Sequence, residues 1–120
     1  LDLTGYQLAR ENNEDQLVAN VTENGSAVTL QGRASGVVGA FVSALETHCG
    51  KDIVLVEYSE HTLSKADGAG ADAVTYVQIN IDGQRYCGVG QSSDIVEASL
   101  LAILSAVNQP LNSAGAVKAA

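Results

Sequence analysis

Two stretches of the chain alternate apolar and polar residues around a dipeptide suited to a tight reversal. Leu17–Thr22 and Ala27–Gln31 flank Asn24-Gly25, and Val74–Ile81 and Gln84–Val89 flank Asp82-Gly83. Val77, Ile79 and Ile81 fall on one side of a strand, with Gln78, Asn80 and Asp82 on the other. Val28 and Leu30 alternate in the same way with Ala27, Thr29 and Gln31. Such alternation around Asn-Gly or Asp-Gly predicts a β-hairpin closed by a type I′ turn, because both central residues need a positive φ. After each hairpin the period lengthens. Val37, Val38, Phe41, Ala44, Leu45 and His48 recur every three or four residues, which predicts a helix from about Gly36 to His48 with Gly50 as its stop. A second helix is predicted from about Asp94 to Asn108. Asp94 suits its N-cap, Glu97 follows three residues later as in a capping box, and Pro110 lies beyond its end. Tyr6–Arg10 and Ile53–Tyr58 supply one further strand each.

The two turns stand 58 positions apart, and the same offset superposes more than the turns. Gly32 falls on Gly90, Ser35 on Ser93, Val38 on Val96, Ala40 on Ala98 and Ala44 on Ala102. Matching element order at a fixed offset indicates an internal duplication. The predicted fold class is therefore α+β: duplicated βββα units with pseudo-two-fold symmetry, sheets packed with two helices. One domain is expected over residues 1–110, with units of about 1–52 and 53–110. Ser64–Ala73, rich in glycine and small residues, is expected to be a flexible loop, and Leu111–Ala120 a frayed tail. From Ile95 to Val107 only Glu97, Ser99 and Ser105 are polar. A helix apolar nearly all round must be covered on most sides, either by a partner subunit, which a domain this small favours, or as a central helix of its own chain.

Composition narrows the class of function. The 120 residues carry 46% hydrophobic side chains, enough for a core, and a formal net charge of −8. That charge argues against nucleic acid and against an anionic membrane surface, both of which select clustered cations. No apolar run is long enough to span a bilayer, and no signal peptide is visible. The chain starts at Leu1 and has no methionine, so it reads as part of a longer protein. Cys49 and Cys87 make no disulfide framework and read as two buried thiols of a cytosolic protein.

Two segments could carry chemistry. Gly32-Arg33-Ala34-Ser35-Gly36 joins a strand to a helix, where unpaired N–H groups favour a carboxylate or phosphate; an ordinary tight connection would look the same. Glu57-Tyr58-Ser59-Glu60-His61 clusters titratable groups at a strand end. Neighbours in a strand face opposite ways, so Glu60 and His61 favour structural or ligand-positioning roles over acid–base catalysis. His48-Cys49, His61 and Cys87 lack the paired spacing of a metal site.

Four segments resemble one family. Gly32 to Phe41 is similar to the Gly-x-Gly-Asn-Gly-Pro-x-x-Ala-Phe segment of the C-terminal regulatory domain of 2-isopropylmalate synthase, with Ala34 in place of a Gly, Ser35 of an Asn and Val37 of a Pro. Tyr58-Ser59-Glu60-His61 resembles its Tyr-x-Glu-His segment, typical of the long form. Ala71–Val77 resembles its next strand, and Gly88-Val89-Gly90 with Asp94–Ser99 its last strand and helix. The resemblance implies a non-catalytic, dimer-forming domain that binds L-leucine as feedback inhibitor. The absent catalytic barrel of the same chain, in the cytoplasm, would join acetyl-CoA to 2-oxoisovalerate with a divalent metal. No cofactor is implied for the domain itself. The site residues so implied are Ala34, Ser35, Gly36, Val38 and Gly39 in the turn and Leu55, Tyr58 and Thr62 on the facing strand, with Glu60, His61, Asp72 and Ala73 in support. Two alternatives stay open: the isoleucine-responsive domain of a citramalate synthase, and a dimerisation module without a ligand.

Overall fold

The computed structural model describes the backbone of residues 1–64 and 71–119 and the side chains of residues 1–62 and 72–109. Its elements run β1 (Asp2–Glu11), β2 (Glu14–Glu23), β3 (Ser26–Ala34), α1 (Val37–Cys49), β4 (Ile53–Ser64), β5 (Ala71–Ile81), β6 (Gln84–Ser92) and α2 (Ile95–Ala119). This is βββα twice, an α+β fold. The chain forms two compact units, Leu1–Val54 and Leu55–Ala120. Each holds one three-stranded sheet, ordered β1-β2-β3 or β4-β5-β6, with β2 and β5 in the centre.

The hairpin turns follow from their residues. Asn24 and Gly25 have φ of 52° and 84°, and Asp82 and Gly83 have φ of 50° and 87°, the left-handed values a type I′ turn needs. A third turn, Asn12-Asn13, has φ of 52° and 64° and joins β1 to β2. Asparagine tolerates this conformation, so Asn-Asn was the available signal for a hairpin that the alternation pattern did not mark.

Each unit brings its helix onto the sheet through glycine. Gly32 of β3 pairs with Leu17 of β2, and a Cβ there would fall on the Ala40 carbonyl oxygen of α1. Gly90 of β6 pairs with Thr75 of β5, and a Cβ there would fall on the Ala98 carbonyl oxygen of α2. These residues match at the 58-residue offset, so the duplication preserves one backbone-to-backbone contact. Gly88 repeats it one turn along α2, against Ala102 and Ala106.

Around these contacts the two cores differ. In the first unit Leu17, Ala19, Val21 and Leu30 of the sheet and Ala40, Phe41, Ala44 and Leu45 of α1 are buried. At the matching positions the second unit buries Val77, Ile79 and Ile103, but it has Thr75 where the first has Leu17 and Ser99 where the first has Phe41. His48 Nε2 lies 3.1 Å from Glu23 Oε1 in the first unit; the second has Ala106 and Ile81 there.

Several expectations change. Ala98–Leu100, Ala102–Leu104, Ala106 and Val107 of α2 are all buried within the single chain. The apolar helix is therefore covered by its own chain and needs no partner subunit to cover it. It also continues to Ala119, past Asn108 and through Pro110. The residues beyond lose apolar periodicity but include several alanines, and intrinsic helix propensity does not depend on periodicity. β4 extends to Ser64 and β5 begins at Ala71, so strand replaces loop at both ends of Ser64–Ala73; residues 65–70 of that loop lie outside the described residues. The thiols are not buried: Cys87 is exposed and Cys49 half-buried. Register explains the first, since Cys87 pairs with Gln78 on the side of the sheet turned away from α2.

Gly90→Ala should lower unfolding free energy by about 1–3 kcal/mol, the usual range for forced overpacking. Gly5→Ala, with no atom within 4 Å of the new Cβ, should stay within about 0.5 kcal/mol. Urea unfolding of both variants checks the contrast.

Candidate functional site

The candidate residues fall in both units. Ala34, Ser35, Gly36, Val38 and Gly39 belong to the first; Leu55, Tyr58, Glu60, His61, Thr62, Asp72 and Ala73 belong to the second.

In the first unit β3 ends at Ala34 and α1 begins at Val37. Gly36 is the N-cap, with extended φ and ψ of −149° and 161°, and its carbonyl accepts from Ala40 N–H at 2.9 Å. No side chain caps this helix and its first turn carries no acid. The first three N–H groups of a helix have no intrahelical partner and carry the positive end of its dipole. The packing is close: a Cβ on Gly39 would lie 3.2 Å from the Ala34 Cβ. The far end of α1 is closed by Gly50 at φ 65°, whose N–H donates to the Glu46 carbonyl at 2.9 Å.

The matching end of α2 is built differently. Asp94 Oδ1 accepts from Val96 N–H at 3.0 Å. Ser92 Oγ accepts from Asp94 N–H at 3.0 Å and donates to Glu97 Oε1 at 3.2 Å. The predicted capping box is thus relayed through Ser92, because that hydroxyl reaches the Asp94 N–H that Glu97 was expected to take. An aspartate cap and a glutamate in the first turn occupy the terminus that α1 leaves to backbone alone.

In the second unit the faces of β4 alternate. Tyr58 turns toward α2, where its hydroxyl lies 2.7 Å from Ser99 Oγ and also bonds the Glu60 carboxylate. Ser99 Oγ lies 3.1 Å from the Ile95 carbonyl and 3.5 Å from Thr75 Oγ1. Thr62 shares this side by alternation. Glu57 and Ser59 face the other way and line a groove of about 220 Å³ with Tyr76, Gln78, Cys87 and Val89. His61 meets Tyr76 edge-on there, with ring centroids 5.6 Å apart. Glu60 and His61 therefore lie on opposite faces, and Leu55 is separated from Tyr58 in the same way. Asp72 Oδ2 accepts from Gln91 at 3.0 Å, and Ala73 is buried in the sheet. Ser99 and Thr75 escaped the sequence reading; the available signal was two hydroxyls standing where the sister unit has Phe41 and Leu17.

Electrostatics distinguishes Tyr58. Partial burial pushes its phenol up from the ordinary value of 10.0, the bond to Glu60 pushes the same way, and the bonds to Ser99 and Thr75 oppose it. Burial, and then Glu23, also raises the Cys49 thiol. Among the described residues no three His, Cys, Asp or Glu side chains gather as metal ligands would, and no helix is long and apolar enough to cross a membrane.

Residues 1–111 match the family model described as the LeuA allosteric (dimerisation) domain. The chain belongs to that family. It is 40% identical over 93 residues to the 2-isopropylmalate synthase of Brucella suis biovar 1, covering 78% of this chain and 16% of the relative. Identity is 37% over 102 residues to that of Corynebacterium glutamicum strain ATCC 13032, covering 85% and 16%. Against that of Agrobacterium fabrum strain C58 it is 37% over 95 residues, covering 79% and 17%. The LeuA-type chain thus spans about a sixth of the length of these relatives. Both the uncapped α1 terminus and the Tyr58 cluster lie within the segment that the family model matches.

The folded state favours the neutral Tyr58 phenol. Its contribution to stability should be intact below the ordinary tyrosine value of 10.0 and be lost as pH rises toward the raised folded value. Alkaline difference absorbance should show one phenolate step displaced upward that Tyr58→Phe abolishes.

Proposed function

We propose that this chain is the non-catalytic regulatory domain of a 2-isopropylmalate synthase, that it binds L-leucine as feedback inhibitor, and that it forms a homodimer. The observation that carries the leucine reading is the contrast between the two helix starts. An amino acid presents a carboxylate, and α1 offers a terminus with neither a side-chain cap nor an acid, while its sister at α2 holds Asp94 and Glu97. The family description and the relatives' names support the regulatory and dimeric reading. The catalytic barrel of the same chain would hold the divalent metal and join acetyl-CoA to 2-oxoisovalerate in the cytoplasm. Leucine binding would bias that barrel through its different affinities for two states of the enzyme.

Calorimetric titration of the 120-residue chain with leucine, isoleucine and valine, alongside its mass in solution, tests this reading. Leucine-selective binding to a dimer is expected. Isoleucine selectivity would move the domain to a citramalate synthase, and a dimer that ignores all three would make it a scaffold. Gly36→Asp copies the α2 cap onto α1, at a position with extended φ and no atom within 4 Å of the added Cβ. It should stabilise the fold by a few tenths of a kcal/mol, the usual gain of such a cap over glycine. It should also weaken leucine binding about tenfold or more, through like-charge repulsion at the dipole end.

A further inference from the structure

The outer strands of the two sheets are β1, β3, β4 and β6. A bulge, a charge or a covering group keeps such an edge from pairing with another chain. β1 shifts register between Leu3 and Gly5, and β4 carries the exposed Glu57 and Glu60. On β6 the Cys87 carbonyl accepts from Gln109 Nε2 of α2. At the 58-residue offset Cys87 matches Thr29 of β3, and Gln109 matches Lys51, past the end of α1. From Ala27 to Gly32, β3 has no bulge, no charge and no proline. The Glu23–Ser26 pair closes a two-residue turn, so hydrogen-bonded and non-hydrogen-bonded pairs alternate from there. Thr29, Gln31 and Arg33 fall on the non-hydrogen-bonded pairs, opposite Asn20, Val18 and Gln16. Their N–H and C=O groups therefore point away from β2, along the outer edge. Two hollows of about 330 and 340 Å³ lie on this strand and α1, one lined by Arg33 and Ser43, the other by Thr29 and Thr47, and they share Gln31.

We infer that two copies of the chain pair through β3, antiparallel about Gln31, so that their first-unit sheets join into one. This rests on the homodimer reading and assigns it a surface. A two-fold pairing centred on Gln31 sets outward groups against outward groups. Gln31 meets Gln31 of the second copy and Thr29 meets its Arg33, and each such pair exchanges two backbone hydrogen bonds. On the helix side Leu30 falls opposite Gly32, which brings no side chain to crowd it. Charge selects a second copy as the occupant. The chain carries a net −8, so self-association needs a surface without acids. β3 has no acid, and neither hollow is lined by one. The one charge on the strand, Arg33, meets Thr29 rather than itself.

The test measures the mass of the 120-residue chain by sedimentation over a range of concentrations. Gln31→Pro removes an outward N–H and leaves the ladder with β2 intact. Val89→Pro makes the same change at the matching position of β6, where Val89 pairs with Tyr76. Gln31→Pro should raise the dimer dissociation constant about tenfold or more, and Val89→Pro should change it by less than about threefold. Gln31→Cys supplies a readout that does not depend on proline being tolerated. Hydrogen-bonded partners on antiparallel strands have Cα atoms about 5.5 Å apart, within disulfide reach. Under mild oxidation Gln31→Cys should cross-link two copies about tenfold faster than the wild type, which has only Cys49 and Cys87. A folded Gln31→Pro that dimerises like the wild type, equal weakening in both proline variants, or cross-linking no faster than the wild type overturns the β3 pairing and leaves the homodimer standing. A wild type that stays monomeric throughout overturns the homodimer reading, and the β3 pairing falls with it.

Discussion

The fold depends on the approach of helix backbone to sheet backbone at Gly32 and Gly90. A strand residue with any side chain would stand where the Ala40 or Ala98 carbonyl oxygen lies. With glycine there, and alanine on the facing helix turns, each helix sits lower on its sheet than larger side chains would permit. That depth buries Phe41 and Leu45 in one unit and Leu100 and Ile103 in the other. It also sets where each helix begins, because Gly32 and Gly90 lie only a few residues before the helix starts. The chain that crosses from strand to helix therefore has little freedom, and whatever caps the helix terminus is held in place by the packing.

The duplication shows which features packing requires. Glycine against helix backbone is kept in both units, with the same register partners. The caps and the residues facing the strand are not kept. An aspartate cap is worth about 1 kcal/mol over alanine, yet α1 begins at a glycine with no side-chain cap. A buried phenylalanine contributes about 3–5 kcal/mol in cavity-forming replacements, whereas a buried hydroxyl pair returns about 1 kcal/mol per hydrogen bond. Stability alone would not choose Ser99 and Thr75 at positions where the sister unit packs Phe41 and Leu17. The two units share a scaffold and depart from it at the helix start of one and the strand-to-helix contact of the other.

Most of this architecture is legible in the sequence because it is local. Asn24-Gly25 and Asp82-Gly83 announce their hairpins, the helical periods announce α1 and the first turns of α2, and the offset that superposes Gly32 on Gly90 announces the repeat. What the sequence hides is either too short or too long in range. Asn12-Asn13 carries no alternation strong enough to mark a strand on both sides. Pro110 signals a helix end by a local rule that the surrounding chain overrides. The contact of Tyr58 with Ser99 spans 41 residues, and no pattern along the chain brings a strand hydroxyl to a helix hydroxyl. The opposite faces of Glu60 and His61, by contrast, follow from strand alternation alone.

The Tyr58 cluster is a small polar contact between a strand and a helix whose interior is otherwise apolar. Coupling between two sites needs about 1–3 kcal/mol, roughly the worth of one hydrogen bond to a charged group. A purely apolar contact has no donor and acceptor roles to exchange. Hydroxyls exchange donor and acceptor roles without moving heavy atoms, and among the described residues no buried side-chain nitrogen or oxygen lacks a partner. Tyr58, Thr75 and Ser99 therefore meet their hydrogen-bonding needs within the cluster. One phenol reaching across from β4 thus ties the strand to α2 through hydroxyls where the sister unit buries Leu17 and Phe41.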